Sequence, residues 1–277
     1  MKTIQLKSGQ AIPTLGMGTW RMGENSQYFE DEVNALRHGL DLGFSLIDTA
    51  EMYGEGGAEE VIAKAIEGRR QSVFLVSKVY PHNASREGAI AACNRSLKRL
   101  NTDYIDLYLL HWRGAYPLSE TLKAFQQLKQ QGKIRDYGVS NFDTDDMEEA
   151  LKTNGGEAIV TNQVLYNLSR RGIEYNLLPW CTNHQIPIMA YSPVEQGRIL
   201  KNSALQKIAK ESAVSTAQIA IAWLLHRPNV IVIPKSSRPE HIEQNYAAQE
   251  IALSPQEIET LEAAFPAPSR SIPLQML

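Results

Sequence analysis

Four side chains that can move or polarise protons stand where apolar runs end. Asp48 closes the run Phe44-Ser45-Leu46-Ile47, and Tyr53 follows five positions later. Lys78 follows Val73-Phe74-Leu75-Val76-Ser77, and His111 follows Ile105-Asp106-Leu107-Tyr108-Leu109-Leu110. An unperturbed phenol, with a pKa of about 10, is a weak acid at neutral pH. An ammonium beside it favours the phenolate and lowers that pKa, and a carboxylate holds the ammonium charged and in place. With Lys78 and Asp48 in those roles Tyr53 becomes a usable proton donor, and His111 can give a second hydrogen bond to the same oxygen. The natural client of such a set is a carbonyl oxygen that is gaining negative charge. No nucleophile is needed, but an electron source is, so the chemistry requires a hydride donor.

For these residues to meet, the runs that carry them must be strands of one sheet whose ends lie on one side. Strands are predicted near 15–19, 44–48, 73–78, 104–110, 134–139, 158–162, 187–191 and 230–233. Most are separated by one helix-length segment, as in βαβ units of roughly 30 or more residues. Ile90, Cys93, Leu97 and Leu100 form one helical stripe, and Leu118, Leu122, Phe125 and Leu128 a second. Ser215-Thr216-Ala217-Gln218 and Ser254-Pro255-Gln256-Glu257 match the capping-box pattern and open helices. Residues 3–12 read as a hairpin turning at Ser8-Gly9. The pattern predicts the α/β class: a closed (β/α)8 TIM barrel with an N-terminal β-hairpin and extra C-terminal helices, one domain spanning 1–277. A doubly wound open sheet is the competitor, weakened because no G-x-G-x-x-G follows the first strand.

In such barrels chemistry sits at the carboxyl ends of the strands. The positions that follow the apolar runs are Trp20, Asp48, Lys78, His111, Ser140-Asn141, Gln163, Tyr191-Ser192 and Lys235-Ser236, which would line one rim. Tyr191 could offer its ring face to a flat nicotinamide, with Ser140, Asn141 and Gln163 for the carboxamide. The segment Ile233–His241 combines cations and hydroxyls with a helix start near Pro239, which suits a phosphate, here the 2′-phosphate of an adenosine ribose. Trp20, Met52, Tyr80, Trp112 and Tyr116 would border the substrate. The short Arg113–Pro117 loop and the short tail after Phe265 predict an open pocket.

The chain resembles the aldo-keto reductase family from end to end. The matching pieces are G-T-W at 18–20, D-T-A-E-M-Y-G at 48–54, V-S-K at 76–78, D-L-Y-L-L-H-W at 106–112, G-V-S-N-F at 138–142, N-Q-V at 162–164, A-Y-S-P at 190–193 and I-P-K-S at 233–236. The resemblance implies a (β/α)8 barrel that binds NADPH without a Rossmann fold. It implies Tyr53 as general acid, Lys78 and Asp48 as its tuning pair and His111 as the residue orienting the carbonyl. Ser140, Asn141, Gln163, Tyr191 and Lys235 would hold the cofactor, with Gly18, Thr19, Trp20, Asp48, Ser192, Pro193, Ser236, Ser237, Arg238, His241, Gln244 and Asn245 as further contacts. The chain departs from the family's R-I-x-E-N ending, having His241 for the arginine and Gln244 for the glutamate. Arg238 replaces some of that charge, and NADH is the alternative cofactor. The E-M-Y-G-E-G-G-A-E and S-K-V-Y-P wording looks most like bacterial members that reduce methylglyoxal, diketogluconates and similar α-dicarbonyls.

The rest of the composition excludes more than it assigns. Lys+Arg at 28 against Asp+Glu at 31 gives a net charge of -3, so neither nucleic acid nor an anionic membrane is an expected partner. No uncharged apolar run reaches about 18 residues, and the N-terminus has no apolar signal core; a cytoplasmic protein, monomeric or weakly self-associating, is expected. Cys93 and Cys181 match no C-x-x-C spacing, which fits a reduced compartment. No metal site is expected, because clustered ligands are lacking. Taken singly, Asp48 reads as a helix cap, Lys78 as a solvated strand end and His111 as a core histidine. Gly54, Gly56 and Gly57 read as turn residues, and Lys98-Arg99 as a solvated face. The rival functions are a cofactor-binding regulatory or structural protein and a metal-assisted barrel hydrolase.

Overall fold

The computed structural model describes residues 2–277. Two short strands, β1 (Thr3–Gln5) and β2 (Ala11–Pro13), pair antiparallel as the predicted hairpin. Eight further strands form one parallel sheet in sequence order: β3 (Met17–Gly18), β4 (Leu46–Asp48), β5 (Phe74–Val79), β6 (Ile105–Leu110), β7 (Ile134–Ser140), β8 (Ile159–Leu165), β9 (Ile188–Tyr191) and β10 (Val230–Val232). The sheet closes on itself between its first and last strands. Gly16 N donates to Val232 O at 2.9 Å, Val232 N to Thr14 O at 2.8 Å and Gly18 N to Pro234 O at 2.9 Å. Glycine is needed in this first run because a Cβ on Gly16 would lie 2.5 Å from Leu46 Cγ.

The helices α1 (Phe29–Leu42), α2 (Gly57–Ala65), α3 (Arg86–Arg99), α4 (Leu118–Gln130), α5 (Thr144–Lys152), α6 (Leu177–Asn183), α7 (Ser203–Glu211), α8 (Thr216–Leu225), α9 (Pro239–Ala247) and α10 (Pro255–Ala264) connect or follow the strands. Both predicted capping boxes form, at Ser215/Gln218 and Ser254/Glu257. A third, Asp143/Asp146, opens α5 with aspartate in the place where glutamate or glutamine is usual. None of the helices among the described residues is long and apolar enough to cross a membrane.

Successive strand residues divide between two cores. On β6, Leu107 and Leu109 join Leu46, Val76, Val160, Met189 and Ile231 inside the barrel, whereas Tyr108 and Leu110 pack outward under the helices. The hairpin belongs to the inner cluster: Leu6 and Ile12 are buried against it. Ser8 Oγ donates to the carboxylate of Asp136 on β7, which also pairs with Lys129 at 2.7 Å, so the hairpin is fastened at the end of the barrel opposite the strand carboxyl ends.

The exits of two strands differ from expectation. Ser140 and Gln163 lie within β7 and β8 instead of just beyond them, because the ladder continues through Ser140↔Gln163. The Lys98-Arg99 pair is not simply a solvated face. Arg99 turns inward to the fully buried Glu59 at 2.7 Å, since a carboxylate under α2 without a partner would be costly.

Truncating the plug tests its weight. Ile12→Ala is expected to lower unfolding free energy by about 2–5 kcal/mol, and the exposed Thr3→Ala by less than about 0.5 kcal/mol, in urea titrations. Equal, small losses would show that the hairpin is not part of the core.

Candidate active site

Asp48 ends β4 with its side chain 3% exposed, and Lys78 of β5 has none of its side chain in contact with solvent. Lys78 Nζ lies 2.8 Å from Asp48 Oδ2 and 2.7 Å from the carbonyl of Thr49. The other carboxylate oxygen of Asp48 accepts from Gln163 Nε2 at 2.7 Å. Tyr53 Oη is 3.5 Å from Lys78 Nζ, and the Tyr53 and His111 rings meet edge to face with centroids 5.7 Å apart. The four side chains singled out for proton chemistry therefore stand together at the carboxyl ends of β4, β5 and β6.

The electrostatics differ from expectation at Tyr53. Its pKa is pushed well above 10, first by burial and then by the negative charge of Asp48. Lys78 does not reverse this, because its ammonium is engaged with Asp48 and Thr49 and stands farther from the phenol. The consequence is a phenol that keeps its proton, the form a proton donor requires. Burial also lowers the pKa of Lys78, against the opposing pull of Asp48. Burial, and after it the charge of Lys78, hold the His111 imidazole well below 6.5, so it is neutral at physiological pH. His111 Nδ1 has no hydrogen-bond partner among the described residues.

Beside this group runs a chain of hydrogen bonds. Tyr191 Oη donates to Asn141 Oδ1 at 3.0 Å, Asn141 Nδ2 donates to His111 O at 3.1 Å, and Ser140 Oγ donates to Gln163 O at 2.8 Å. Asn141 adopts φ 56°, a left-handed conformation that asparagine tolerates better than most residues. Thr19 Oγ1 donates to Asp48 O at 3.0 Å and so ties the start of the barrel to the same carboxylate residue.

All of this faces a cavity of about 340 Å³. Its wall includes Gly18, Thr19, Trp20, Asp48, Met52 and Tyr53 from the first strand ends. His111, Trp112, Ser140, Asn141 and Gln163 continue it, and Tyr191, Ser192, Pro193 and Lys235 complete it. Lys78 is buried behind that wall. Tyr80, expected to border the substrate, is not on it. Its ring stacks on His82 with centroids 4.6 Å apart and meets the edge of Trp112 at 5.2 Å, so it backs Trp112 instead. Tyr116 is exposed and also off the wall.

Ser236, Ser237, Arg238, His241, Gln244 and Asn245 lie away from this cavity, along the entry to α9 and the helix itself. Ser236 Oγ accepts from Arg238 N at 3.1 Å, and Pro239 opens the helix where its missing N–H costs nothing. Arg238 and His241 are exposed, while Asn245 is buried. Exposed cations beside hydroxyls at the start of a helix are a donor set that suits a phosphate ester.

Some wall residues were missed. Arg21 lines the cavity with its guanidinium 4.4 Å over the Trp20 ring, and Val194 and Gln196 line it from the segment after Pro193. The adjacency of Arg21 to Trp20 was the available signal. The tail after Phe265, expected too short to cover the pocket, reaches it: Met276 and Leu277 are on the wall. Ile272 anchors that path over Gly172, where a Cβ would come within 2.7 Å.

The family model for the aldo/keto reductase family matches residues 14–265. Methylglyoxal reductase YeaE of Escherichia coli (strain K12) is 50% identical over 281 residues, covering 100% of this chain and 99% of its own. Glyoxal reductase of Bacillus subtilis (strain 168) is 33% identical, covering 94% of this chain and 92% of its own. Among solved structures, an aldo/keto reductase from Klebsiella pneumoniae in complex with NADP and acetate superposes with a TM-score of 0.97 at 48% identity, covering 100% of this chain and 99% of that one. A closed parallel barrel with a lysine–aspartate pair, a protonated phenol and a neutral imidazole at one rim thus agrees with the match along the sequence, and the chain belongs to the aldo/keto reductase family.

Proposed function

We propose that the protein reduces small aldehydes and ketones to alcohols with NADPH, that α-dicarbonyls such as methylglyoxal are its preferred substrates, and that Tyr53 is the general acid. The observation that carries this is the phenol of Tyr53, kept protonated on the wall of a cavity shared with Tyr191 and backed by Lys78 at 3.5 Å. The relatives named for methylglyoxal and glyoxal support the substrate class.

The residues present fit the cofactor. Tyr191 offers a ring on the cavity wall for the nicotinamide, with Ser140, Asn141 and Gln163 beside it. Lys235, Ser236, Ser237 and Arg238 meet the phosphate requirement at the start of α9, with His241, Gln244 and Asn245 on the helix. When bound, NADPH supplies the hydride that none of these side chains can provide. The carbonyl oxygen is held between Tyr53 and neutral His111, both of which can donate a hydrogen bond. As that oxygen gains charge it takes the proton from Tyr53. The phenolate left behind is stabilised by the Lys78 ammonium, and Asp48 holds Lys78 against the cost of its burial. Trp20, Met52 and Trp112 exclude water and contact the carbon skeleton.

Replacing the donor tests the central role. Tyr53→Phe keeps the ring and removes only the proton, so kcat is expected to fall roughly 10²–10⁴-fold while the Kd for NADPH stays within about twofold. Retained turnover would remove Tyr53 from the mechanism. Cofactor and substrate preference can be read in the same assay. NADPH is expected to exceed NADH in kcat/KM by at least about tenfold, through roughly 1.4 kcal/mol of contact with the extra phosphate, and Arg238→Ala is expected to narrow the gap. Equal or better efficiency with NADH would overturn the preference. Methylglyoxal, phenylglyoxal and 2,5-diketogluconate are expected to outperform simple aliphatic and sugar aldehydes; a clear lead for the latter would overturn the α-dicarbonyl assignment.

A further inference from the structure

Directly after Tyr53 the backbone enters a conformation that L residues rarely adopt. Gly54 (φ 57°, ψ 32°), Glu55 (φ 54°, ψ 33°) and Gly56 (φ 99°, ψ −9°) are left-handed in succession. A non-glycine residue there is strained and persists only where its surroundings hold it. Two surfaces hold this turn. On one side is the backbone of Met22 and Gly23: a Cβ on Gly54 would meet Met22 O at 2.8 Å, and one on Gly57 would meet Gly23 O at 2.4 Å. On the other side is the Arg99 side chain, whose Nε would stand 2.5 Å from a Cβ on Gly56.

Arg99 is itself fixed. Its Nε donates to Glu59 Oε2 at 2.7 Å, and a second guanidinium nitrogen lies 2.7 Å from the same oxygen. The other oxygen of Glu59 accepts from Ser77 Oγ at 2.7 Å, and Ser77 immediately precedes Lys78 on β5. Glu59 is fully buried. One carboxylate thereby joins the helix that follows the Tyr53 turn, the last turn of α3 and the strand that carries Lys78. Glu59, Arg99 and Ser77 are all absent from the cavity wall, and no step of the reduction uses them.

We propose that Arg99 and Glu59 are positioning residues for Tyr53 and Lys78, the guanidinium backing the left-handed turn and the carboxylate anchoring Ser77. The inference rests on Tyr53 being the proton donor. The quantity they set is the separation of Lys78 Nζ and Tyr53 Oη, 3.5 Å in this structure, with Lys78 Nζ the hydrogen-bond partner of that hydroxyl. A displacement of about 1 Å in reacting groups can cost on the order of 100-fold in rate, so the separation is worth controlling from outside the site. An ion pair kept for stability alone would leave the chemical step untouched.

Two variants separate these cases. Arg99→Met combined with Glu59→Leu removes both charges, so no buried carboxylate is orphaned. Arg99→Lys keeps a cation beside Glu59 but loses the flat guanidinium against Gly56, and it decides the matter if the double variant does not fold. Each is compared with wild type by circular dichroism, by steady-state NADPH oxidation with methylglyoxal, and by the isotope effect on kcat using NADPH deuterated at the transferred position. The folded variants are expected to keep KM for NADPH within about twofold, to lose at least about tenfold in kcat, and to show a larger isotope effect as hydride transfer becomes rate-limiting. A folded variant with wild-type kcat and isotope effect would overturn the positioning role. Should wild type itself fail to turn over, or Tyr53→Phe turn over equally well, the reductase assignment fails instead.

Discussion

A carboxylate and an ammonium 2.8 Å apart, both withdrawn from water, are the contact on which the rim is built. Neither charge is tolerable alone: breaking such a pair by removing one partner costs about 3–5 kcal/mol, because the survivor is left buried and uncompensated. Asp48 and Lys78 come from neighbouring strands, so the pair also fixes how the ends of β4 and β5 stand to each other. Asp48 is held further by Gln163 from across the barrel, and Lys78 by the carbonyl of Thr49. The outcome is a rigid positive charge with one open direction, toward the hydroxyl of Tyr53.

Barrel closure makes that arrangement available. Eight parallel strands present their carboxyl ends on one face, while the hairpin fills the other end with Leu6 and Ile12. A polar residue at the last inward position of a strand is then surrounded by the last inward residues of other strands, which is how Gln163 reaches an aspartate 115 positions earlier. The interior below is apolar, so the charged layer lies between a dry core and the cavity. Burial explains why the imidazole of His111 is uncharged and why the phenol of Tyr53 holds its proton, since a low-dielectric neighbourhood penalises the ionised form of each.

Much of this was legible in the chain. A titratable residue at the exit of a largely apolar run is an unusual juxtaposition, and its recurrence at Asp48, Lys78 and His111 points to one rim. Three features were not legible, each for a physical reason. The effect of Lys78 on Tyr53 depends on distances and competing partners, and a sequence states neither; the sign of the phenol's shift came out reversed. Arg99 and Glu59, 40 residues apart on amphipathic helices, look like ordinary solvated charges until the packing of α2 against α3 brings them together. The tail after Phe265 has no periodicity to read, and its path over Gly172 to the cavity follows from shape alone.

The ionisation of a single hydroxyl is therefore the most direct measure of the account. Tyrosine labelled with ¹³C at Cζ, titrated by NMR with Tyr53→Phe for assignment, reports that group in the free protein. The Tyr53 signal is expected to stay at the protonated position through neutral pH and past about pH 10, the value of an unperturbed phenol, because burial and Asp48 both favour the proton-bearing form. A midpoint clearly below that value would mean that Lys78 dominates the phenol's electrostatics and would contradict the account.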